Sequence, residues 1–258
     1  MTSDAEASGP GPLPGPAGRP LRARYGRTAI IVAAVVAVAV VIVAIAVAAG
    51  GAQPTGRPSD TVSETAGSIR AVDFQGVPGQ LIVTTTPGDQ VRLTGQLAWR
   101  NHHRAGTASA RASDGVLYLV SRCATDSPCT ENYRLAVPAH TAVTLTQPSG
   151  HVVVSGLDAA LRITAESTSI SATGLRSPSL TATLRSAHLG AAFAGAPQRI
   201  SVTLTSAQAT IRLPATGLQY QISSQVRWGY IKVGVPQSAS SPRHIDAHLT
   251  SSELELLS

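Results

Sequence analysis

From residue 143 to its last residue the chain repeats, and the repeat limits its possible folds more than any other feature. A serine recurs at Ser149, Ser167, Ser186, Ser206 and Ser224, at spacings of 18, 19, 20 and 18 residues. Six residues before each stands an apolar side chain: Val143, Leu161, Leu180, Ile200 and Leu218. Four before come Leu145, Ile163, Ala182, Val202 and Tyr220, and two before come Gln147, Ala165, Leu184, Leu204 and Ile222. Three and five after the serine, Val152/Val154, Ile170/Ala172, Leu189/Ala191 and Ala209/Ile211 continue the theme. Alternate residues of a strand share one face. Each unit therefore predicts a strand with alternate residues inward, a serine corner and a second strand of shifted parity. Small hydroxyl residues suit a corner because they bond nearby backbone groups without demanding volume. Glycines at Gly150, Gly156, Gly174, Gly195 and Gly217 mark other bends.

No single unit of this kind can bury its apolar side, whereas stacked units share a continuous core. The expected fold is all-β, a single-stranded parallel β-solenoid (β-helix) of about 18–20 residues per coil, with neighbouring coils ~4.8 Å apart. An antiparallel β-sandwich is the rival, since it also spaces short strands regularly. One phase held over five coils favours stacking. The fifth coil breaks the pattern, as an insertion delaying its second strand to "YIKVGV" would do. Upstream, "VPGQLIVTTTPGDQVRLTGQL" and "ASARASDGVLYLVSRC" read as earlier, less regular coils separated by a polar loop, "AWRNHHRAGTA". The solenoid is expected to occupy residues 69–258.

The tail "RHIDAHLTSSELELLS" follows the same rule. With Ser251 as the corner, Ile245, Ala247 and Leu249 precede it inward, and Leu254 and Leu256 follow. It reads as a sixth and last coil. His244, Asp246 and His248 are then outward alternates of its first strand, as Glu253 and Glu255 are of its second. Side-chain neighbours on one strand face sit ~7 Å apart, so a His-x-Asp-x-His metal site is the alternative to plain solvated residues. A last coil leaves an unpaired edge, and acids there discourage another chain from adding.

Residues 28–51, "TAIIVAAVVAVAVVIVAIAVAAGG", hold no charge. The apolar core, Ala29 to Ala49, matches the ~20 residues a helix needs to cross a bilayer. Arg19, Arg22, Arg24 and Arg27 precede it, and no basic residue follows before Arg57. That asymmetry places the N-terminus in the cytoplasm and the bulk of the chain outside. A cleaved signal peptide is the competing reading, but this apolar run exceeds the usual ~7–15 residues. The expected organisation is a disordered cytoplasmic tail (1–27), a signal-anchor helix (28–49), a flexible stalk (50–68) and the extracytoplasmic solenoid. Cys123 and Cys129 bracket the turn-forming "ATDSP" on the outer side, where disulfides persist, and a local disulfide is expected between them. A zinc site is the alternative, for which two cysteines supply too few ligands.

The net charge is +6, yet the bases are scattered singly and aromatics are only 3%. Nucleic-acid binding needs clustered bases with stacking rings, and is excluded on that ground. Glycoside hydrolysis needs a convergent carboxylate pair. Asp158, Glu166, Asp246, Glu253 and Glu255 are scattered over the coils, and His151 and His188 are two coils apart. His102 and His103 are adjacent in the polar loop, where strand geometry would splay their rings. Nucleophile-elbow, phosphate-loop and calcium-repeat motifs do not occur. No catalytic, cofactor-binding or metal residues are assigned.

The Arg-flanked apolar segment, "YRLAVPAHTAVTLTQPSGHVVVSGL" and the serine-marked coils together resemble a family of bacterial envelope proteins. These are adhesin-type chains with β-strand repeats, common in Gram-positive actinobacteria. The resemblance covers roughly residues 69–258. Ser-Gly corners, frequent in that family, occur clearly here only at Ser149-Gly150; Ser-Thr, Ser-Ala and Ser-Ser stand at the others. The resemblance implies a solenoid scaffold and a surface role, and carries over no functional residues. The expected function is a non-catalytic, single-pass membrane protein binding or organising a wall polymer, surface glycan or envelope protein. The alternatives are an accessory for envelope signalling or stress sensing, and an envelope glycan enzyme.

Overall fold

The computed structural model describes residues 59–99, 106–124 and 128–258. The tail, the apolar segment and most of the stalk lie outside the described residues, as do His102 and His103. The described chain is all-β. In order its strands are β1 (Ser59–Gly67), β2 (Ala71–Gln75), β3 (Gly79–Thr86), β4 (Gln90–Trp99), β5 (Gly106–Ser113), β6 (Val116–Cys123) and β7 (Cys129–Pro138). Then come β8 (Ala142–Gln147), β9 (Gly150–Ser155), β10 (Leu161–Glu166), β11 (Thr168–Leu175), β12 (Ser179–Arg185) and β13 (His188–Phe193). The last four are β14 (Arg199–Thr205), β15 (Gln208–Arg212), β16 (Gln221–Val233) and β17 (His244–Leu257).

The regular part stacks in register. β8, β10, β12 and β14 pair in parallel, as do β9, β11, β13 and β15. Val143, Leu161, Leu180 and Ile200 fall in one row and are buried, as are Leu145, Ile163, Ala182 and Val202. Each fully buried Leu, Ile or Val stabilises by about 1.5–3 kcal/mol relative to exposure, so like residues stacked in rows build one dry interior. Turns close the third side, where Leu157, Leu175 and Leu213 point into the core.

The corners lie where the repeat predicts, with a different division of labour. Ser167, Ser186, Ser206 and Ser251 adopt φ of 45°, 50°, 51° and 51°. This left-handed conformation turns the chain sharply and suits a small side chain. At three of these serines the main-chain N–H ties the corner to the next layer: Ser167 donates to Arg185 O at 3.0 Å, Ser186 to Thr205 O at 3.0 Å and Ser206 to Thr250 O at 2.9 Å. At Ser167 and Ser251 a hydroxyl also folds back, and it belongs to the following residue; at Ser186 and Ser206 that residue is an alanine. Thr168 Oγ1 donates to Glu166 O at 2.6 Å, and Ser252 Oγ donates to Thr250 O at 2.7 Å. At Ser149-Gly150 the glycine takes the positive φ, 118°, because a Cβ there would strike the carbonyl oxygen of Gly79.

Four expectations are corrected. First, the chain is not a parallel solenoid wound coil upon coil. A single 17-stranded sheet curls into a nearly closed barrel around its core, and its layers leave chain order at both ends. β2 and β3 lie between β8/β9 and β6/β7. β1, β4 and β5 join by antiparallel pairing, β4 with β7 and β1, β5 with β6. The repeat specifies which side chains turn inward, which leaves open the neighbour on which a layer settles. The segment read as the coil "ASARASDGVLYLVSRC" is a hairpin. Asp114 and Gly115 both have positive φ, 54° and 76°, as a two-residue primed turn requires.

Second, β17 is not the last layer. It pairs in parallel with β14 and β15 on one side and with β16 on the other. Ile245, Ala247, Leu249, Leu254 and Leu256 are buried, as the tail's pattern predicts. The unpaired edge belongs to β16, which contains no acid. Third, the phase of that layer differs from the sequence reading. Ile222 pairs with Ile245, so the corner opposite Ser251 is Trp228, with φ of 65°, and not Ser224. Leu218, read as an inward residue, is exposed in the preceding loop. Finally, Ser59–Gly67, read as part of the stalk, is strand β1.

Candidate binding face and the polar interior beside it

The stacked strands carry their outward residues in rows as regular as the inward ones. One row reads Gln75, Thr146, Thr164, Thr183, Thr203, His248 and Gln225, taken layer by layer. Beside it runs Asp73, Thr144, Arg162, Thr181, Ser201, Asp246 and Ser223. Parallel strands lie ~4.8 Å apart, so the four threonines present hydroxyls at that repeat. Near the corner the face dips into an open groove of about 480 Å³, lined in part by Thr146, Thr164, Glu166, Thr183, Arg185 and Thr205. Glu166 and Arg185 are register partners there. The groove offers hydroxyls, one acid and one base to an extended polar ligand.

At one end the groove reaches Gly76 and Gln147, behind which the interior turns polar. Gln147 occupies an inward position that holds Ala165, Leu184 and Leu204 in the following layers. Its Nε2 donates to Val77 O at 2.6 Å and to Ser149 O at 3.2 Å. Its Oε1 has no hydrogen-bond partner, and neither has either carboxylate oxygen of Glu131. Glu131 is only 3% exposed, on β7 between the layers. Burial pushes its carboxyl up from the ordinary range to about 7; the Val77 backbone, Ser121 and Gln147 lie near and pull the other way. Those neighbours stop short of hydrogen-bond geometry, so desolvation prevails. A Cβ on Gly76 would collide with Oε1 of both Gln147 and Glu131. The glycine thus leaves the space in which two acceptors sit, and a proton on Glu131 would supply the donor both lack. Below, Ser121 Oγ donates to Tyr133 Oη at 3.3 Å, and Tyr133 packs edge-on against Phe74.

The residues weighed in the sequence lie apart from this cluster. His244, Asp246 and His248 are outward on β17, flanked by Arg199, Ser201 and Thr203 on β14 and by Gln221, Ser223 and Gln225 on β16. None of these neighbours is a carboxylate, thiol or imidazole, and among the described residues no three such groups converge. Glu253 accepts from Gln208 Nε2 at 3.2 Å, and Glu255 meets Lys232 Nζ at 3.4 Å. Asp158 pairs with Arg176 at 3.7 Å. His151 and His188 are separated by the strand bearing Ser169. Cys123 and Cys129 are joined by a disulfide.

Glu131 and Gln147 escaped notice in the sequence although both carry a readable signal. Gln147 breaks an apolar column. Glu131 shares its parity with Tyr133, Leu135 and Val137 in "CTENYRLAV", all buried.

No family model and no curated protein matches the chain. Several solved structures resemble it distantly. One is a "putative cell adhesion protein" from Clostridium sporogenes, at 9% identity and a TM-score of 0.44, over 76% of this chain and 99% of that one. Another is a "putative adhesin" from Bacteroides fragilis, at 8% identity and a TM-score of 0.39, over 77% and 97%. A third, a "putative lipid binding protein" from Parabacteroides distasonis, has 9% identity and a TM-score of 0.35, over 78% and 97%. Likenesses this distant carry no functional argument. Nothing in these likenesses supports the actinobacterial type.

Proposed function

We propose that this chain is a non-catalytic, adhesin-type envelope protein. It is anchored by residues 28–49 and holds its β-domain outside the membrane to bind a wall polymer, surface glycan or envelope protein. The observation that carries the reading is the outer row of Thr146, Thr164, Thr183 and Thr203 in strand register. Evenly spaced hydroxyls, with Glu166 and Arg185 at the groove, suit repeated hydrogen bonding along an extended polar partner. Among the described residues, the one carboxyl with a strongly raised pKa, Glu131, is enclosed.

The test is retention. The full chain in mild detergent is immobilised and offered wall polymer, surface glycans and envelope proteins from its own organism. Retention of one class is expected, and the exposed pair Thr164→Lys and Thr183→Lys should abolish it while the melting temperature stays put. If none of the three classes is held, or if the double variant holds its partner unchanged, the binding reading is wrong.

A further inference from the structure

We propose that β16 is a self-association edge through which two copies of this chain join about a two-fold axis. Among the described residues, four of the five large apolar side chains left exposed gather at this end: Leu218, Val226, Trp228 and Tyr230. β16 is 13 residues long and has β17 as its only strand neighbour, so its other edge offers free N–H and C=O groups. It holds no proline and no acid, its only charges being Arg227 and Lys232, and the return loop bonds it only at its start, where Pro236 and Ser238 meet Tyr220. The layer it forms is also an open end of the core. Ile222, Ile231 and Val233 are half-buried, and Val226 is 42% exposed.

The bend at Trp228 selects the occupant. A straight foreign strand can pair with only one limb of β16, whereas a second copy bends in the same way. To cover both limbs it must be related by a two-fold axis bisecting the corner, so that the limb before one corner runs antiparallel to the limb after the other. Opposed residues of antiparallel strands share a face, so inward side chains must meet inward side chains. These are Ile222, Ser224 and Val226 before the corner, and Ile231 and Val233 after it. Two registers satisfy this with the corners adjacent. One wastes Val226 on Gly229 of the second copy. The other sets Val226 opposite Ile231, Ser224 opposite Val233, Gln225 opposite Lys232 and Arg227 opposite Tyr230. In it no cation faces a cation, and the Arg227 guanidinium meets an aromatic ring, a favourable pairing. Two open cores become one, and an isologous contact stops at two copies.

The experiment uses the full chain in detergent. One preparation carries Val226→Cys and a second carries Ile231→Cys; each is oxidised alone and then as a mixture. A cross-linked dimer is expected chiefly in the mixture. Sedimentation, corrected for bound detergent, should show a dimer whose dissociation constant rises on the order of a hundredfold with Val226→Lys. Because Val226 is exposed in the single chain, the melting temperature of that variant's monomer should match that of the parent monomer. A parent monomeric at every concentration overturns the proposal, as does a dimer indifferent to Val226→Lys. So do a ladder of higher oligomers, which would mean capture of the opposite end of the next copy, and a dimer in which the mixture gives no cross-link, which would place the contact in the N-terminal segment.

Discussion

A single register row runs through two different interiors. In the middle of the stack it is Leu184, Leu204 and Leu249, all buried among apolar neighbours. Toward the N-terminal end the same row becomes Ala165 and then Gln147, beside the buried Glu131. The backbone ladder is alike in both places, so pairing alone cannot set local stability. The apolar stretch is held by packing, which does not depend on pH. The polar stretch is held by the geometry around Gly76 and Val77 and contains a carboxyl that pays for its burial once ionised. The contrast shows that a repeating backbone tolerates one polar layer when apolar layers continue on its far side.

The largest expected effect tests the dry half. Leu204→Ala removes a fully buried side chain from between two stacked leucines, a change that typically costs 2–5 kcal/mol. Chemical denaturation should show that loss equally at pH 5 and pH 8. A loss below about 1 kcal/mol would mean that the layers collapse freely around the gap, and the packed row would not be what holds the middle together.

Glu131→Gln tests the polar half. The folded carboxyl titrates near 7, above its unfolded value of about 4.5. The folded state therefore binds the proton more tightly. Its stability is greatest below the unfolded pKa, falls between about 4.5 and 7, and is flat above. Glutamine cannot ionise, so the variant should match the parent at pH 4 and exceed it at pH 8, by up to about 3 kcal/mol. A difference independent of pH would show that Glu131 binds its proton equally well in the folded and unfolded chains, so that burial does not raise its pKa.

These two residues also mark how far the sequence could be read. Leu204 belongs to a column that alternation alone puts inside, and the same logic places Ile245 and Leu254 of the tail correctly. Alternation specifies a face, not a neighbour. It could not reveal that the last strand slips between β15 and β16, because that depends on how a 10-residue return loop, residues 234–243, carries the chain back across the sheet. The fifth-layer error has a local cause. Leu218 imitates the inward spacing yet is exposed in the loop that lengthens the connection before the strand begins at Gln221, whereas Tyr220 is buried as its spacing suggests. Asp114-Gly115 was readable as a tight hairpin from its residue types alone. Of the groove, the threonine positions follow from the repeat. The Glu131–Gln147 proximity does not, since it joins strands that meet only when β3 enters between β7 and β9.

The smallest effect concerns the corners, where both halves of the comparison share one device. A left-handed residue with a side chain costs roughly 1–2 kcal/mol relative to its right-handed form. Ser186 accepts this cost at φ of 50°, with its backbone N–H bound to Thr205 O. Ser186→Gly removes the strain but gives the unfolded chain more freedom, which costs about 0.4–1 kcal/mol. These contributions nearly cancel, so stability should shift by less than about 1 kcal/mol. Ser186→Val keeps the side chain and adds β-branching where positive φ tolerates it least, and should lose more than the glycine variant. If the order is reversed, with glycine the more damaging, the serine hydroxyl must supply more than the bend, and the corner is then a bonded motif instead of a conformational one.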